Sequence, residues 1–190
     1  MFIQTETTPN PATLKFLPGQ VVMEMGTADF VDPQEASQKS PLASKLFEID
    51  GVMGVFFGYD FVTVTKSEDF EWAHLKPSIL ANIMEHLTAG EPVIQRSGDD
   101  EFAEDAVEEF FEKSDAVIVQ TIKELIETRV RPAVAQDGGD ITFRGFRDGT
   151  VFLKMKGACA GCPSSTATLK HGIQNLLRHF VPEVEHVESM

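Results

Sequence analysis

Ile141-Thr142-Phe143-Arg144-Gly145-Phe146-Arg147-Asp148-Gly149-Thr150-Val151-Phe152-Leu153-Lys154-Met155 reads as two strands folded back on one another. Ile141–Phe146 and Val151–Met155 are rich in β-branched and aromatic residues. Between them lies Asp148-Gly149, a pair that tolerates the positive φ angles of a tight hairpin turn. Upstream, Ile118, Ile122, Leu125, Ile126, Val130 and Val134 fall on one helical face, with Pro132 inside that helix or ending it early. Gly138-Gly139 supplies the stop, and because Gly138-Gly139-Asp140 follows a helix and opens a strand it reads as a turn and not as a phosphate loop. Downstream, Leu169, Ile173, Leu176, Leu177 and Phe180 form a second stripe, Pro182 closes it, and Val184–Val187 can add a third strand. The predicted order over residues 116–190 is α-β-β-α-β.

The first half has its own elements. Phe2–Thr5 and Thr13–Leu17 flank the turn-prone Thr8-Pro9-Asn10-Pro11, Pro41–Ile49 suggests a short helix, and Val52–Phe57 and Phe61–Thr65 are joined by Gly58-Tyr59-Asp60. Ile79, Leu80, Ile83, Met84 and Leu87 then recur at helical spacing until Gly90. Between the halves, residues 97–115 carry nine acids against Lys113 alone, the composition of a solvated linker, in which Phe110 and Phe111 are candidates for a docking turn. The fold class is therefore α+β, with two small α+β domains at 1–96 and 116–190 joined by an acidic linker at 97–115.

A net charge of −14 disfavours nucleic acid, whose phosphates attract clustered Lys and Arg. No apolar run is long enough for a membrane span, and the opening Met1-Phe2-Ile3-Gln4-Thr5-Glu6 lacks the basic and apolar segments of an export signal. The two cysteines, Cys159 and Cys162, are too few for a disulfide framework, so a reducing compartment is the simpler expectation. The motifs of dinucleotide-binding, P-loop, zinc-protease and serine-hydrolase sites are absent.

Chemistry therefore concentrates in Gly157-Ala158-Cys159-Ala160-Gly161-Cys162-Pro163-Ser164-Ser165, between a strand and a helix. Two thiols separated by two residues can face one centre, small neighbours keep the loop tight, and Pro163 suits a first helical position. A helix starting there would aim its positive end at the cysteines and lower their pKa. Iron-sulfur clusters, zinc and dithiol redox centres all use such a pair. Clusters usually take four thiolates, so a chain with two would share its cluster across a symmetric dimer. A dithiol-disulfide oxidoreductase is the first alternative, although a helix and a hairpin precede Cys159 where thioredoxin-like enzymes have a βαβ unit. A zinc-binding interaction module is the second; His171 and His179 do not match finger spacing and read as solvated helix residues.

Gln136-Asp137-Gly138-Gly139-Asp140, the Asp148-Gly149 hairpin, Cys159-Ala160-Gly161-Cys162-Pro163-Ser164-Ser165 and Leu169-Lys170-His171-Gly172-Ile173-Gln174 resemble, in order and spacing, the C-terminal domain of the Nfu family of NifU-like proteins. Thr8-Pro9-Asn10-Pro11, Leu14-Lys15-Phe16, Ser40-Pro41-Leu42-Ala43 and Val55-Phe56-Phe57-Gly58 resemble its N-terminal domain. The resemblance covers the chain except the acidic linker. It implies a homodimer or higher homo-oligomer that holds a labile [4Fe-4S] cluster through Cys159 and Cys162 of each subunit, with [2Fe-2S] as the other form that four thiolates accept. It also implies delivery to apo iron-sulfur proteins, supply by upstream cluster-assembly machinery, partner contacts or assembly through the N-terminal domain, and no enzymatic activity. Mitochondrial relatives carry a targeting segment that this sequence lacks, so the bacterial cytoplasm is the expected location, or the mitochondrial matrix for a processed organellar form.

Overall fold

The computed structural model describes residues 1–95, 108–160 and 163–190, with side chains in the last segment described from Thr166 onward. The chain forms two compact α+β units, Met1–Glu104 and Asp105–Met190.

In the first unit, β1 (Gln4–Thr7), β2 (Thr13–Leu17), β3 (Ala28–Phe30), β4 (Val52–Phe57) and β5 (Val62–Lys66) make an antiparallel sheet ordered β1-β2-β5-β4-β3. Helices α1 (Pro33–Lys39), α2 (Pro41–Phe47) and α3 (Trp72–Ala89) supply Ala36, Leu42, Leu46, Ile79 and Ile83 to the core that Phe16, Val55, Phe57 and Val64 provide from the sheet. β3 and α1 are additions to the sequence expectation. Helix α1 starts where Asp32 Oδ1 accepts from Gln34 N at 2.9 Å and Pro33 sets φ for the first turn. Buried Ser40 ends α1 and caps α2, accepting from Ala43 N at 3.0 Å while donating to Val93 O at 2.6 Å. Helix α3 stops at Gly90, whose φ of 69° is left-handed. One expected core residue of α3 is displaced: Met84 is exposed, and His86 occupies the buried seam below Ile79 and Ile83.

The second unit has the order expected for residues 116–190. α4 (Ala116–Leu125) runs into a π-helical turn at Ile126–Val130 and on into α5 (Arg131–Gln136). The interruption has a cause in Pro132, which lacks the N–H that a regular helix would donate to residue 128, so the turn widens before it. The stripe nevertheless stays inward, with Val119, Ile122, Ile126, Val130 and Val134 buried. Gly138, at φ 82°, ends α5. β6 (Gly139–Arg147) and β7 (Thr150–Gly157) then pair antiparallel around Asp148 and Gly149, at φ 49° and 73°, the two positive angles a type I′ turn requires. α6 (Pro163–Phe180) follows, and β8 (His186–Ser189) pairs parallel to β7. Phe180 departs from expectation: it is 45% exposed, and Val181, just past the helix, enters the core in its place.

Residues 97–107 of the expected linker lie outside the described residues. In the described remainder Phe110 is docked, whereas its neighbours Glu108, Glu109 and Phe111 to Ser114 are exposed. Phe110 N donates to Arg144 O at 3.1 Å and Phe146 N donates to Phe110 O at 2.9 Å, a single-residue bridge at Gly145. The Phe110 ring packs 5.1 Å from that of Phe152, with the Arg147 guanidinium 5.2 Å from its centroid, and Lys123 Nζ holds Glu109 at 2.8 Å. Of the two candidates for a docking turn, Phe110 is seated by ring packing and the neighbouring ion pair, and Phe111 stays exposed.

Candidate functional site

The cysteine loop leaves β7 at Gly157, whose φ of 66° turns the chain sharply after the Gly139–Gly157 pair of the ladder. Three hydrogen bonds fix the turn that follows. Ala158 N donates to Gly138 O at 3.2 Å, Ala160 N donates to Gly157 O at 3.1 Å, and Thr166 Oγ1, in the first turns of α6, donates to Cys159 O at 3.0 Å. Pro163 opens α6, as its fixed φ and missing donor suggest.

Cys159 faces inward and is 5% exposed, as part of the apolar cluster of this unit. Its sulfur lies where the start of β6 has no side chain: a Cβ at residue 139 would stand 2.7 Å from Cys159 Sγ and 2.6 Å from Lys156 O. The expectation of a lowered thiol pKa is overturned at this residue. Burial pushes the Cys159 thiol up to about 12, and the negative charges of Asp137 and Asp140 add to the shift. The charge of a helix terminus falls off within one turn, and Cys159 stands four residues before Pro163, where α6 begins. Cys162 lies outside the described residues.

Beside the loop is a charge pair that sequence reading missed. Arg131 Nε and Nη2 donate to Asp140 Oδ1 and Oδ2 at 2.9 and 3.0 Å, Nη1 donates to Glu127 Oε2 at 2.8 Å, and Ile141 N donates to Asp140 Oδ1 at 2.8 Å. The buried Asp140 hydrogen bonds, first among the causes, raise the Arg131 pKa above its ordinary value, so the fork is permanently charged. It fastens α5 to the strand whose first residue backs Cys159. The available signal was an acid between Gly139 and Ile141, at the mouth of an apolar strand.

His171 and His179 are exposed, as expected for solvated helix positions. Among the described residues no three His, Cys, Asp or Glu side chains gather in a metal-holding group, and no helix is long and apolar enough to cross a membrane.

Comparison with known proteins covers both units. Residues 3–90 match the family model described as scaffold protein Nfu/NifU N terminal, and residues 122–188 match that of the NifU-like domain. NifU-like protein 4, mitochondrial, of Arabidopsis thaliana is 52% identical over 191 residues, covering 100% of this chain and 66% of the relative. The human NFU1 iron-sulfur cluster scaffold homolog, mitochondrial, is 50% identical, covering 100% of this chain and 72% of the relative. Among solved structures, the solution NMR structure of a NifU-like protein from Saccharomyces cerevisiae is 30% identical, over 51% of this chain and 87% of that one, with a TM-score of 0.46.

Proposed function

Because the chain belongs to the Nfu/NifU family of iron-sulfur cluster scaffold proteins, we propose that two copies of it hold one [4Fe-4S] cluster through Cys159 and Cys162 of each, and pass it to apo-proteins. The observation that carries this reading is the donor count. The sequence has two cysteines, a cluster usually takes four thiolates, and among the described residues no other metal-holding group is available to make up the difference. A homodimer, or a higher homo-oligomer built from such pairs, supplies the missing two.

In this proposal the acidic residues 97–115 tether an N-terminal domain at 1–96, which contributes partner contacts, to the cluster-binding domain at 116–190. Upstream assembly machinery loads the cluster. Delivery is ligand exchange, in which a recipient's cysteines replace Cys159 and Cys162 one at a time, so no covalent bond of an organic substrate changes and the protein is a carrier, not an enzyme. The compartment is a reducing one: the cytoplasm of a bacterium as the sequence suggested, or the mitochondrial matrix, which the names of the relatives support. A dithiol oxidoreductase of the thioredoxin kind is disfavoured by context, because α5 and the antiparallel β6–β7 hairpin precede Cys159 where such enzymes have a βαβ unit.

Anaerobic reconstitution with iron and sulfide tests the proposal. The chain should turn brown and dimerise, with Mössbauer spectra of a [4Fe-4S] centre, and either Cys159→Ser or Cys162→Ser should abolish both colour and dimer. A strictly monomeric loaded chain, or tightly held zinc with no uptake of iron, would overturn it.

A further inference from the structure

A sulfur that ligates a cluster shared between two chains must be reachable from outside its own chain. Cys159 as described is not: it is 5% exposed, and its sulfur rests against the bare Cα of Gly139 inside the core. The carbonyl of the same residue is held from the helix side by Thr166 Oγ1 at 3.0 Å, and the turn is tied to the end of α5 by Ala158 N and Gly138 O at 3.2 Å. The described residues of the loop, Gly157 to Ala160, therefore have a hydrogen-bonded arrangement in which the Cys159 sulfur is out of reach. We infer that Cys159 is stowed in the cluster-free chain, with Gly139 and Thr166 as positioning residues that hold its sulfur inside until loading turns the loop outward about Gly157.

This inference rests on the reading of Cys159 as a cluster ligand and adds a mechanism for release. A site whose competent conformation is only partly populated binds more weakly by that fraction, so the stowed state lowers the hold on the cluster and favours handing it on. It also shields the empty thiol from oxidants, which attack exposed thiolates.

The test is alkylation of the reduced, cluster-free full chain by iodoacetamide, with modification mapped to Cys159 by mass spectrometry. Wild-type Cys159 should react at least about tenfold more slowly than in the urea-unfolded chain, as for any group that must await local opening. Thr166→Val should raise the rate several-fold and Thr166→Ser should restore protection. Gly139→Ala should raise it most; because its methyl would also meet Lys156 O, Thr166→Val decides the matter if that variant does not fold. After reconstitution, Thr166→Val should lose iron to a chelator more slowly than wild type, whereas simple damage to the site would make loss faster. Alkylation of wild-type Cys159 at the unfolded rate, an unchanged rate in Thr166→Val, or faster iron loss in that variant would overturn the inference. Failure of the chain to take up any cluster would instead sink the proposed function, because protection of the thiol is read without one.

Discussion

The two units solve the same packing problem differently. In the first, close-approach glycines sit in turns, Gly51 against the ring of Phe70 and Gly58 against that of Phe61, while Gly54, at a register shift inside β4, has room for a side chain, since a Cβ there would meet nothing nearer than 3.5 Å. In the second, strand β6 itself gives up side chains: Gly139 makes room for Cys159 Sγ, and Gly145, beside a register shift, makes room for the ring of Phe110. A strand residue without a side chain is costly in order and in packing, so its appearance at the start and again in the interior of one strand marks places where something else must be seated. Both units bury a charged or titratable group, Asp140 in the second and Lys15 and His86 in the first, but a proline is bridged by a π turn only before Pro132, whereas α3 carries Pro77 within a regular helix.

The contrast can be broken most forcefully at Arg131. Arg131→Met leaves Asp140 buried without its bidentate partner, a change that typically destabilises by about 3–5 kcal/mol. Trp72, the sole tryptophan, belongs to the first unit, so urea unfolding followed by its fluorescence should stay put while the far-UV CD transition of the second unit moves to lower urea. Coincident shifts in both signals would show that the units do not unfold separately. Gly145→Val comes next. Its Cβ would lie 2.5 Å from the Phe110 ring, and overpacking of this kind costs about 1–3 kcal/mol. Glutamyl endopeptidase should then cut faster at Glu108, Glu109 and Glu112, and an unchanged cleavage rate would mean that Phe110 is not seated by that glycine.

Smaller effects sharpen the other side. Ser40→Ala removes a cap from α2 and the donor to Val93 O, and should lower the Trp72-monitored transition by about 1 kcal/mol without touching the second unit. The mildest effect is a pH slope at His86. Burial lowers its pKa below 6.5; the hydrogen bond to Pro92 O at 3.1 Å and the charge of Glu91 oppose the shift, and Lys45 reinforces it. Nδ1 faces Glu91 Oε2 at 3.1 Å without hydrogen-bond geometry, in keeping with a neutral ring that donates from Nε2. With the folded pKa depressed, the unfolded chain binds more protons between that value and 6.5. The stability from His86 is therefore complete above 6.5 and drains away as pH falls toward the folded pKa. His86→Gln should flatten this part of the stability-pH curve, and a curve identical to wild type would remove His86 as its source.

Much of this was legible because it is local. Asp148-Gly149 specifies its turn through two positive φ angles, and the stripes of α4 and α6 follow helical spacing. What escaped depends on contacts between distant residues. The depth of Cys159 comes from the pairing of Gly139 with Gly157, and the Arg131–Asp140 fork from a chain reversal between helix and strand. Phe180 and Met84 show the limit of reading faces from spacing: apolar residues at the margin of a stripe stay in water when the surface opposite is already filled. β3 and α1 were missed for a different reason. Asp32-Pro33 is a sound helix start, but a strand of three residues and a helix of seven are too short for periodicity to register.

The seat of Phe110 has a mechanical side. Tension applied to the second unit from its amino-terminal side reaches Phe110 before it reaches α4, and is taken up there by two backbone hydrogen bonds to β6, an aromatic clasp and the Glu109–Lys123 ion pair. The helix behind it, which carries Val119 and Ile122 into the core, is thereby isolated from a pull on the chain ahead of Phe110. A strap of a few residues works as a strain relief, of the kind that keeps a pulled cable from working loose inside its plug.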